Sequence, residues 1–107
     1  MIRTKFLKDR LHEQLVGTHI SMPDSIVSEM VGRLGYDFIW IDTEHSEMSY
    51  TNLRNHLTAV NAGGTPAIVR VSMNDYNHVK RVMEMGPDGL IFPMINTAEQ
   101  ARAAMEF

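Results

Sequence analysis

The chain has 107 residues, 44% of them apolar and 21% charged, which is the composition of one globular domain rather than of a disordered chain. Its net charge of −3 and its lack of a basic stripe argue against a nucleic-acid partner. Because it has no cysteine, disulfides and thiolate zinc sites are excluded, and we expect a cytoplasmic protein.

The first predicted element is an amphipathic helix. In FLKDRLHEQLV, apolar residues share one helical face: Phe6, Leu7, Leu11 and Leu15. Gly17 then interrupts this pattern, and THIS, at 18–21, is a short strand candidate. We therefore expect a helix ahead of the first strand.

A second helix is predicted after Pro23, a residue that suits the first turn of a helix. Its inward residues repeat at helical spacing: Ile26, Val27, Met30, Val31 and Leu34. Gly35 fits the C-terminal cap of this helix, and DFIWID, at 37–42, predicts the second strand. The centre of that strand is continuously apolar, which indicates a strand covered on both faces.

The next helix is marked by Leu53, Leu57 and Val60 and ends at the glycine pair 63–64, before a third strand, PAIVRV, at 66–71. Asn74 or Asp75 can cap the helix that follows, and Gly86 stops it. Its inward residues are Val79, Val82 and Met83. DGLIFPM, at 88–94, predicts the fourth strand, and a last helix starts from a capping-box pair, Thr97 and Gln100.

This order of elements is a repeated βα unit. It predicts a parallel sheet with strand order 1-2-3-4 and helices on its outer face. Both the open doubly wound sheet and the eight-stranded barrel are built in this way, and four units make half of a barrel.

The carboxyl ends of the predicted strands carry polar residues, and in parallel βα proteins this edge holds the active site. Asp42, Glu44 and His45 follow the second strand. Arg70 lies near the end of the third strand, and His19 lies on the first. Three neighbouring strands therefore direct acid, imidazole and guanidinium groups to one rim.

Simpler interpretations exist for most of these residues. Asp42 is also typical of a loop cap, His45 of a solvated loop, and Glu84 of a solvated helix. Arg70 is harder to explain in this way, because a guanidinium in a buried strand is unfavourable unless it is paired. We expect its partner to be an anionic ligand or an acid of the same rim. The remaining histidines are predicted on helix surfaces: His12, His56 and His78.

Three segments now resemble a known family. They are GYDFIWIDTEHS, AIVRVSMND and GPDGLIFPMINTAEQA, and they are similar, in order and spacing, to the class II, pyruvate-dependent aldolases of the HpcH/HpaI family. The resemblance implies an α/β fold, namely the first four βα units of a (β/α)₈ TIM barrel of the phosphoenolpyruvate/pyruvate-binding type. Residues 1–107 would then be the N-terminal half of a single aldolase barrel domain.

The resemblance also implies an activity and roles for individual residues. Members of this family are lyases that cleave 4-hydroxy-2-oxo acids to pyruvate and an aldehyde, with a divalent metal (Mg²⁺, Mn²⁺ or Co²⁺) bound to pyruvate. His45 matches the general base, and Arg70 matches the arginine that stabilises the enolate. Glu84 falls where the family usually carries an aspartate that raises the basicity of the histidine. Asp42 and Glu44 match acids beside the metal site.

The residue types suit this chemistry. Imidazole titrates near neutral pH, which suits a base for the 4-hydroxyl proton, and a fixed arginine stabilises the enolate charge. No lysine lies at a predicted strand end, which argues against a Schiff-base aldolase.

Two departures from the family pattern matter. Glu84 is one methylene longer than the usual aspartate, and nothing in this chain matches the metal ligands, which in the family come from the second half of the barrel. We therefore expect the base and the arginine without a complete metal site, and no aldolase activity from these 107 residues alone.

Other interpretations stay open. One is a non-catalytic half-barrel that associates through open strand edges. Another is a citrate-lyase-like acyl-CoA lyase, which the D-x-E-H motif disfavours. We expect small-molecule partners, a 2-oxo acid and an aldehyde, and a homo-oligomer. In a half-barrel, the inner face would lack its opposite wall and would include Ile39, Ile41, Ile68 and Leu90 or their strand neighbours.

Overall fold

The computed structural model describes residues 7–107, so the predicted position of Phe6 lies outside the described residues. The strands are β1 (Gly17–Ile20), β2 (Phe38–Asp42), β3 (Ala67–Arg70) and β4 (Gly89–Ile91). The helices are α1 (Ile26–Val31), α2 (Tyr50–Ala62), α3 (Tyr76–Met83) and α4 (Ala98–Met105), and a short 3₁₀ helix spans Leu7–Arg10. None of the helices in this described part has the length and apolar content needed to span a bilayer.

The four strands form one parallel sheet in the order β1-β2-β3-β4, which confirms the predicted topology. Each strand is followed by a helix, as in the first four units of a (β/α)₈ barrel. The register aligns Asp42, the last residue of β2, with Arg70, the last residue of β3. A carboxylate and a guanidinium therefore meet at the carboxyl edge of the sheet.

The outer face of the sheet carries the apolar core, because its side chains pack under α2 and α3. Ile39 and Ile41 are fully buried there, and Leu90 packs partly against the same cluster. The core members on the helices are Leu53, Leu57, Val60, Val79 and Val82. Placing Ile39, Ile41 and Leu90 on the inner face was therefore wrong.

The inner face carries the alternate residues of the strands, since successive side chains point to opposite sides of a sheet. On β2 these are Phe38, Trp40 and Asp42, and the neighbouring strands place His19 and Ile68 beside Trp40 in register. The prediction for Ile68 agrees with this arrangement. The inner face is thus aromatic at its centre and charged at its carboxyl edge.

The opening helix is shorter than predicted. In the described part of this segment, the helical residues are the 3₁₀ helix Leu7–Arg10, and Leu11 is 68% exposed rather than packed. The backbone just before β1 is instead bound to the start of β2: Val16 N donates to Asp37 Oδ2 at 2.9 Å, and Asp37 N donates to Val16 O at 2.8 Å. These contacts require extended backbone at Val16, so the amphipathic pattern does not continue as a helix.

Helix α1 is also shorter than its apolar pattern indicates. Val27 and Val31 pack against the core, whereas three predicted inward residues are exposed: Ile26, Met30 and Leu34. The helix ends at Gly32, where a Cβ would lie 3.1 Å from the Val60 Cα, so α1 and α2 meet through a narrow glycine contact. Gly35 is not the cap, but its φ of +90° turns the chain towards β2.

Three predicted helix ends are confirmed. Gly63 ends α2, and Asp75 accepts a hydrogen bond from His78 N at the start of α3. Thr97 and Gln100 form the predicted capping box of α4. Ser49, for which no prediction was made, caps the start of α2. The prediction that Met83 of α3 points inward is wrong, since its side chain is more than half exposed.

Candidate active site

Asp42 is the centre of the polar cluster at the carboxyl edge. Its side chain is 1% exposed, and its Oδ1 accepts hydrogen bonds from the backbone N–H groups of Glu44 at 2.8 Å and His45 at 3.1 Å. The hydroxyl of Ser46 donates to the Asp42 carbonyl at 2.5 Å. These bonds fold the chain sharply after β2, and they explain why a buried strand runs directly into a polar loop.

Arg70 is paired with Asp42 through two hydrogen bonds. Its Nε donates to Oδ1 at 3.2 Å and its Nη2 donates to Oδ2 at 2.5 Å. The guanidinium also lies over the ring of Trp40, 4.8 Å from the ring centroid. Arg70 was expected to pair with an anionic ligand or with an acid of the same rim. In the structure its partner is such an acid, Asp42.

The charges of this pair stabilise each other. Burial alone would raise the pKa of Asp42, but hydrogen bonds from Arg70, from the amides of His45 and Glu44, and from His19 hold that pKa well below its usual range. The hydrogen bond to Asp42 in turn raises the pKa of Arg70. The pair is therefore ionic at any physiological pH.

His45 lies on the solvent side of Arg70, with 68% of its side chain exposed. Its Nδ1 is 3.3 Å from Arg70 Nη2, and its Nε2 is 3.5 Å from Glu44 Oε1. A guanidinium can only donate, so Nδ1 is the acceptor, and neutral His45 carries its proton on Nε2, towards Glu44. The lone pair of His45 therefore faces the cation.

Glu44 completes this group, since its Oε1 is also 3.5 Å from Arg70 Nε. Four of the five predicted site residues thus come together: Asp42, Glu44, His45 and Arg70. They lie on two neighbouring strands and on the loop after β2.

Glu84 is the predicted site residue that the structure does not bring to this group. It is the C-cap of α3, exposed, and it lies just before β4, whereas the cluster lies at the ends of β2 and β3. Because the strands are parallel, the end of α3 lies at the opposite edge of the sheet. The expected pairing of Glu84 with His45 is therefore not made within this chain.

His19 is a member of the cluster that sequence reasoning placed at the rim without a role. Its Nε2 lies 3.3 Å from Asp42 Oδ2, and its ring packs edge-on against Trp40, with centroids 5.3 Å apart. Within residues 7–107, the buried indole nitrogen of Trp40 has no hydrogen-bond partner. Strand register could have predicted that His19 lies near Asp42, since His19 is aligned with Trp40, two residues before Asp42.

Two histidines predicted on helix surfaces are not simple surface residues. His56 is fully buried, and its Nδ1 lies 2.5 Å from the hydroxyl of Ser28 between α1 and α2. His78 is half-buried between Tyr50, whose hydroxyl is 2.6 Å from Nδ1, and Ser72, whose hydroxyl is 3.2 Å from Nε2. Burial lowers the pKa of both imidazoles. His12 is exposed, as predicted.

The residues at this edge do not fit a resident metal ion. Both oxygens of Asp42 already accept hydrogen bonds, and a cation there would compete with the guanidinium of Arg70. No group of three or more His, Cys, Asp or Glu side chains among residues 7–107 is arranged to hold a metal. A metal in this active site would need other ligands.

The chain is similar to several known proteins. The model of the HpcH/HpaI aldolase/citrate lyase family matches residues 17–107. A hydroxypyruvate/pyruvate aldolase of Roseobacter denitrificans is 31% identical over 90 residues, which cover 84% of this chain and 35% of the relative.

Solved structures give the same picture. A crystal structure of an HpcH/HpaI aldolase/citrate lyase family protein from Burkholderia cenocepacia has a TM-score of 0.86 at 33% identity, covering 92% of this chain and 40% of that one. The citrate synthase SbnG has a TM-score of 0.81 at 33% identity, covering 88% of this chain and 39% of that one. The chain thus spans well under half the length of these relatives.

Proposed function

The chain belongs to the HpcH/HpaI aldolase/citrate lyase family, and we propose that it supplies the proton-transfer and enolate-stabilising part of a class II, pyruvate-dependent aldolase. The substrate would be a 4-hydroxy-2-oxo acid, cleaved to pyruvate and an aldehyde. Residues 1–107 would be the N-terminal half of a single barrel domain. The name of the Roseobacter relative, a hydroxypyruvate/pyruvate aldolase, supports this proposal.

The observation that carries the proposal is the position of Arg70 between Asp42 and His45. Its Nη2 is 2.5 Å from the carboxylate and 3.3 Å from the imidazole. A substrate oxygen beside this guanidinium would also lie beside a proton acceptor. A fixed positive charge next to a base is the combination that enolate formation requires.

The proposed cleavage begins when the substrate hydroxyl replaces Arg70 at Nδ1 of His45, which takes the proton. The C3–C4 bond then breaks, the aldehyde leaves, and the electron pair becomes the enolate of pyruvate. Arg70 stabilises the enolate oxygen, while Asp42 holds the guanidinium in place and Glu44 orients His45 through its Nε2 proton. Glu84 has no contact in this scheme.

A divalent metal is proposed on the family resemblance alone, and it would supply Lewis-acid stabilisation of the enolate. Its ligands would have to come from outside the described residues. Chelation of the full-length gene product should therefore abolish activity, and Mn²⁺, Co²⁺ or Mg²⁺ should restore it. Full activity after exhaustive chelation, or trapping of a substrate adduct by borohydride, would contradict metal dependence.

A second candidate function is condensation, because one similar structure is a citrate synthase. In that case the same enolate would attack a carbonyl acceptor instead of being formed by cleavage. A different alternative is the non-catalytic half-barrel, which would show neither reaction.

The test is pyruvate release by the full-length gene product from a panel of 4-hydroxy-2-oxo acids. His45→Ala should mainly lower kcat, by about 100-fold or more, whereas Arg70→Ala should lower kcat and weaken pyruvate binding together. Condensation without cleavage would favour the synthase alternative, and inactivity in both directions would favour the half-barrel.

We also propose that the working form is a cytoplasmic homo-oligomer with small-molecule partners, a 2-oxo acid and an aldehyde. The cysteine-free composition agrees with a reducing compartment. Light scattering of the gene product checks the oligomeric state, and a monomer would contradict it.

A further inference from the structure

Two imidazoles flank the Asp42–Arg70 pair, and they differ in what the lone pair on Nδ1 faces. The lone pair of neutral His45 is on Nδ1, 3.3 Å from a guanidinium that donates to it. His19 lies on the other side, with its Nε2 3.3 Å from Asp42 Oδ2. Because the ionised carboxylate can only accept, Nε2 of His19 carries a proton, and its lone pair in the neutral form is on Nδ1.

The ring of His19 is held in this orientation from two sides. It is aligned in register with Trp40, yet it reaches Asp42, two residues closer to the carboxyl edge, so the ring leans towards the rim. The edge-on contact with Trp40 fixes its plane. Its side chain is 46% exposed, and no hydrogen-bond partner for Nδ1 lies within the described chain. His19 thus has a carboxylate behind it and an accessible nitrogen in front.

This arrangement is that of a carboxylate–histidine dyad. A carboxylate bonded to one ring nitrogen fixes the tautomer and stabilises the imidazolium that forms when the other nitrogen takes a proton. His45 also has a carboxylate near its protonated nitrogen, with Glu44 Oε1 3.5 Å from Nε2, but its lone pair faces the Arg70 guanidinium, which disfavours protonation at Nδ1. Of the two imidazoles, His19 is therefore better suited to remove a proton from carbon, which is a weaker acid than a hydroxyl group.

We propose, on the basis of the aldolase function above, that His19 transfers the proton at C3 of pyruvate while His45 serves the 4-hydroxyl. In cleavage, the C3–C4 electron pair becomes the enolate, and protonated His19 gives its Nδ1 proton to C3, leaving neutral imidazole and pyruvate. In the reverse direction, neutral His19 takes a methyl proton from pyruvate. The imidazolium that forms exchanges that proton with solvent.

The two histidines can be separated because pyruvate alone is enough for the C3 step. The full-length gene product, with any metal it needs, is incubated with pyruvate in D₂O, and loss of the methyl proton signal is followed by NMR. His19→Gln should slow this exchange by about 100-fold. It should slow pyruvate release from a 4-hydroxy-2-oxo acid by less, because water can protonate a free enolate. His45→Gln should show the reverse pattern, and His12→Gln should change neither rate.

Exchange at the wild-type rate in His19→Gln, or equal loss of both reactions in either variant, would overturn the assignment while leaving the aldolase function intact. A wild-type protein that neither releases nor exchanges pyruvate would instead overturn both proposals. A measurement on the unaltered protein guards against misfolded variants: the ¹⁵N spectrum of neutral His19 should show the proton on Nε2. A proton on Nδ1 would contradict the dyad.

Discussion

The two ends of β2 carry the same pair of residue types with different surroundings. At the start of the strand, Asp37 accepts hydrogen bonds from Arg10 Nη2 at 2.6 Å and from the Val16 amide at 2.9 Å. At the end of the strand, Asp42 accepts from Arg70 and from two loop amides. In both cases the pKa of the aspartate is held below its usual range, by the Val16 amide and Arg10 for Asp37.

The difference lies in what else each pair contacts. Among residues 7–107, Arg10 forms ion pairs with Glu13 and Asp37, and its pair with Asp37 joins the segment before β1 to the start of β2. Arg70 lies beside His45, Glu44 and the ring of Trp40 as well as Asp42. The Arg10–Asp37 pair is therefore a structural ion pair. The Arg70–Asp42 pair is a candidate active site, because it lies at the carboxyl edge of the sheet with imidazoles beside it.

The largest expected difference between the two pairs is in activity. Arg70→Ala should lower kcat/KM for pyruvate release by about 100- to 1000-fold, because it removes the positive charge beside the enolate. Arg10→Ala is the matched control at the other end of the strand, and its kcat/KM should stay within about twofold of wild type. Equal losses in the two variants would mean that the carboxyl-edge pair has no special role.

Substituting the two aspartates should also affect kcat/KM unequally, but the loss should be smaller than for Arg70→Ala. Asp42→Asn keeps the size of the side chain but removes the charge that holds Arg70, so we expect about a tenfold to 100-fold loss of kcat/KM. Asp37→Asn should leave kcat/KM unchanged and lower only the melting temperature. Steady-state kinetics and thermal melts of both variants check this, and a loss of activity in Asp37→Asn would contradict the division of roles.

Acid should weaken both ion pairs, Asp37–Arg10 and Asp42–Arg70. Because the pKa of each aspartate is lowered in the folded state, each carboxylate contributes stability above its unfolded pKa of about 3.9, and this contribution is lost as the pH falls through the folded value. Urea unfolding from pH 7 to pH 3 should therefore show that the stability gap between wild type and Asp42→Asn is constant down to about pH 5 and then narrows. A gap that widens below pH 5 would contradict the lowered pKa.

The Ser28–His56 pair shows whether burial alone makes a polar pair functional. It is as buried as Asp42 but lies between α1 and α2 on the outer face. Ser28→Ala should lower the free energy of unfolding by about 1–3 kcal/mol, since it leaves a buried nitrogen without its partner. It should leave kcat/KM unchanged, and a catalytic defect in a folded variant would contradict this view.

His56 should also give the fold a pH dependence of its own. Its pKa is lowered by burial, so below about pH 6.5 the unfolded chain binds a proton that the folded chain resists. The wild-type stability should therefore fall as the pH drops from 7 to 5. A His56→Gln variant should lose this part of the dependence, and an unchanged slope in that variant would assign it to other groups.

The sequence predicted the sheet well because each strand–helix unit carries strong local signals. The four strands, the caps at Asp75 and Thr97, and the glycine that ends α2 depend on neighbouring residues alone. The sequence did not show that the opening helix would be short. Its length is limited by Asp37, which lies far along the chain and binds the Val16 amide. The apolar pattern around Val16 contains no sign of that contact.

The candidate site was predicted in part for the same reason. Strand ends identified Asp42 and Arg70, and parallel register brought them together. Glu84 was carried over by position within a motif, and only the three-dimensional fold shows that α3 ends at the other edge. The role proposed for His19 rests on which ring nitrogen faces Asp42, and sequence spacing does not report this.

The most direct test of the proposed site is a crystal structure of the full-length gene product with pyruvate bound. A pyruvate oxygen should lie about 3 Å from the guanidinium of Arg70 and beside His45 Nδ1, with the methyl carbon facing His19 Nδ1. Pyruvate bound elsewhere, with Arg70 still contacting only the acids and His45, would contradict the assignment of the active site to the carboxyl edge.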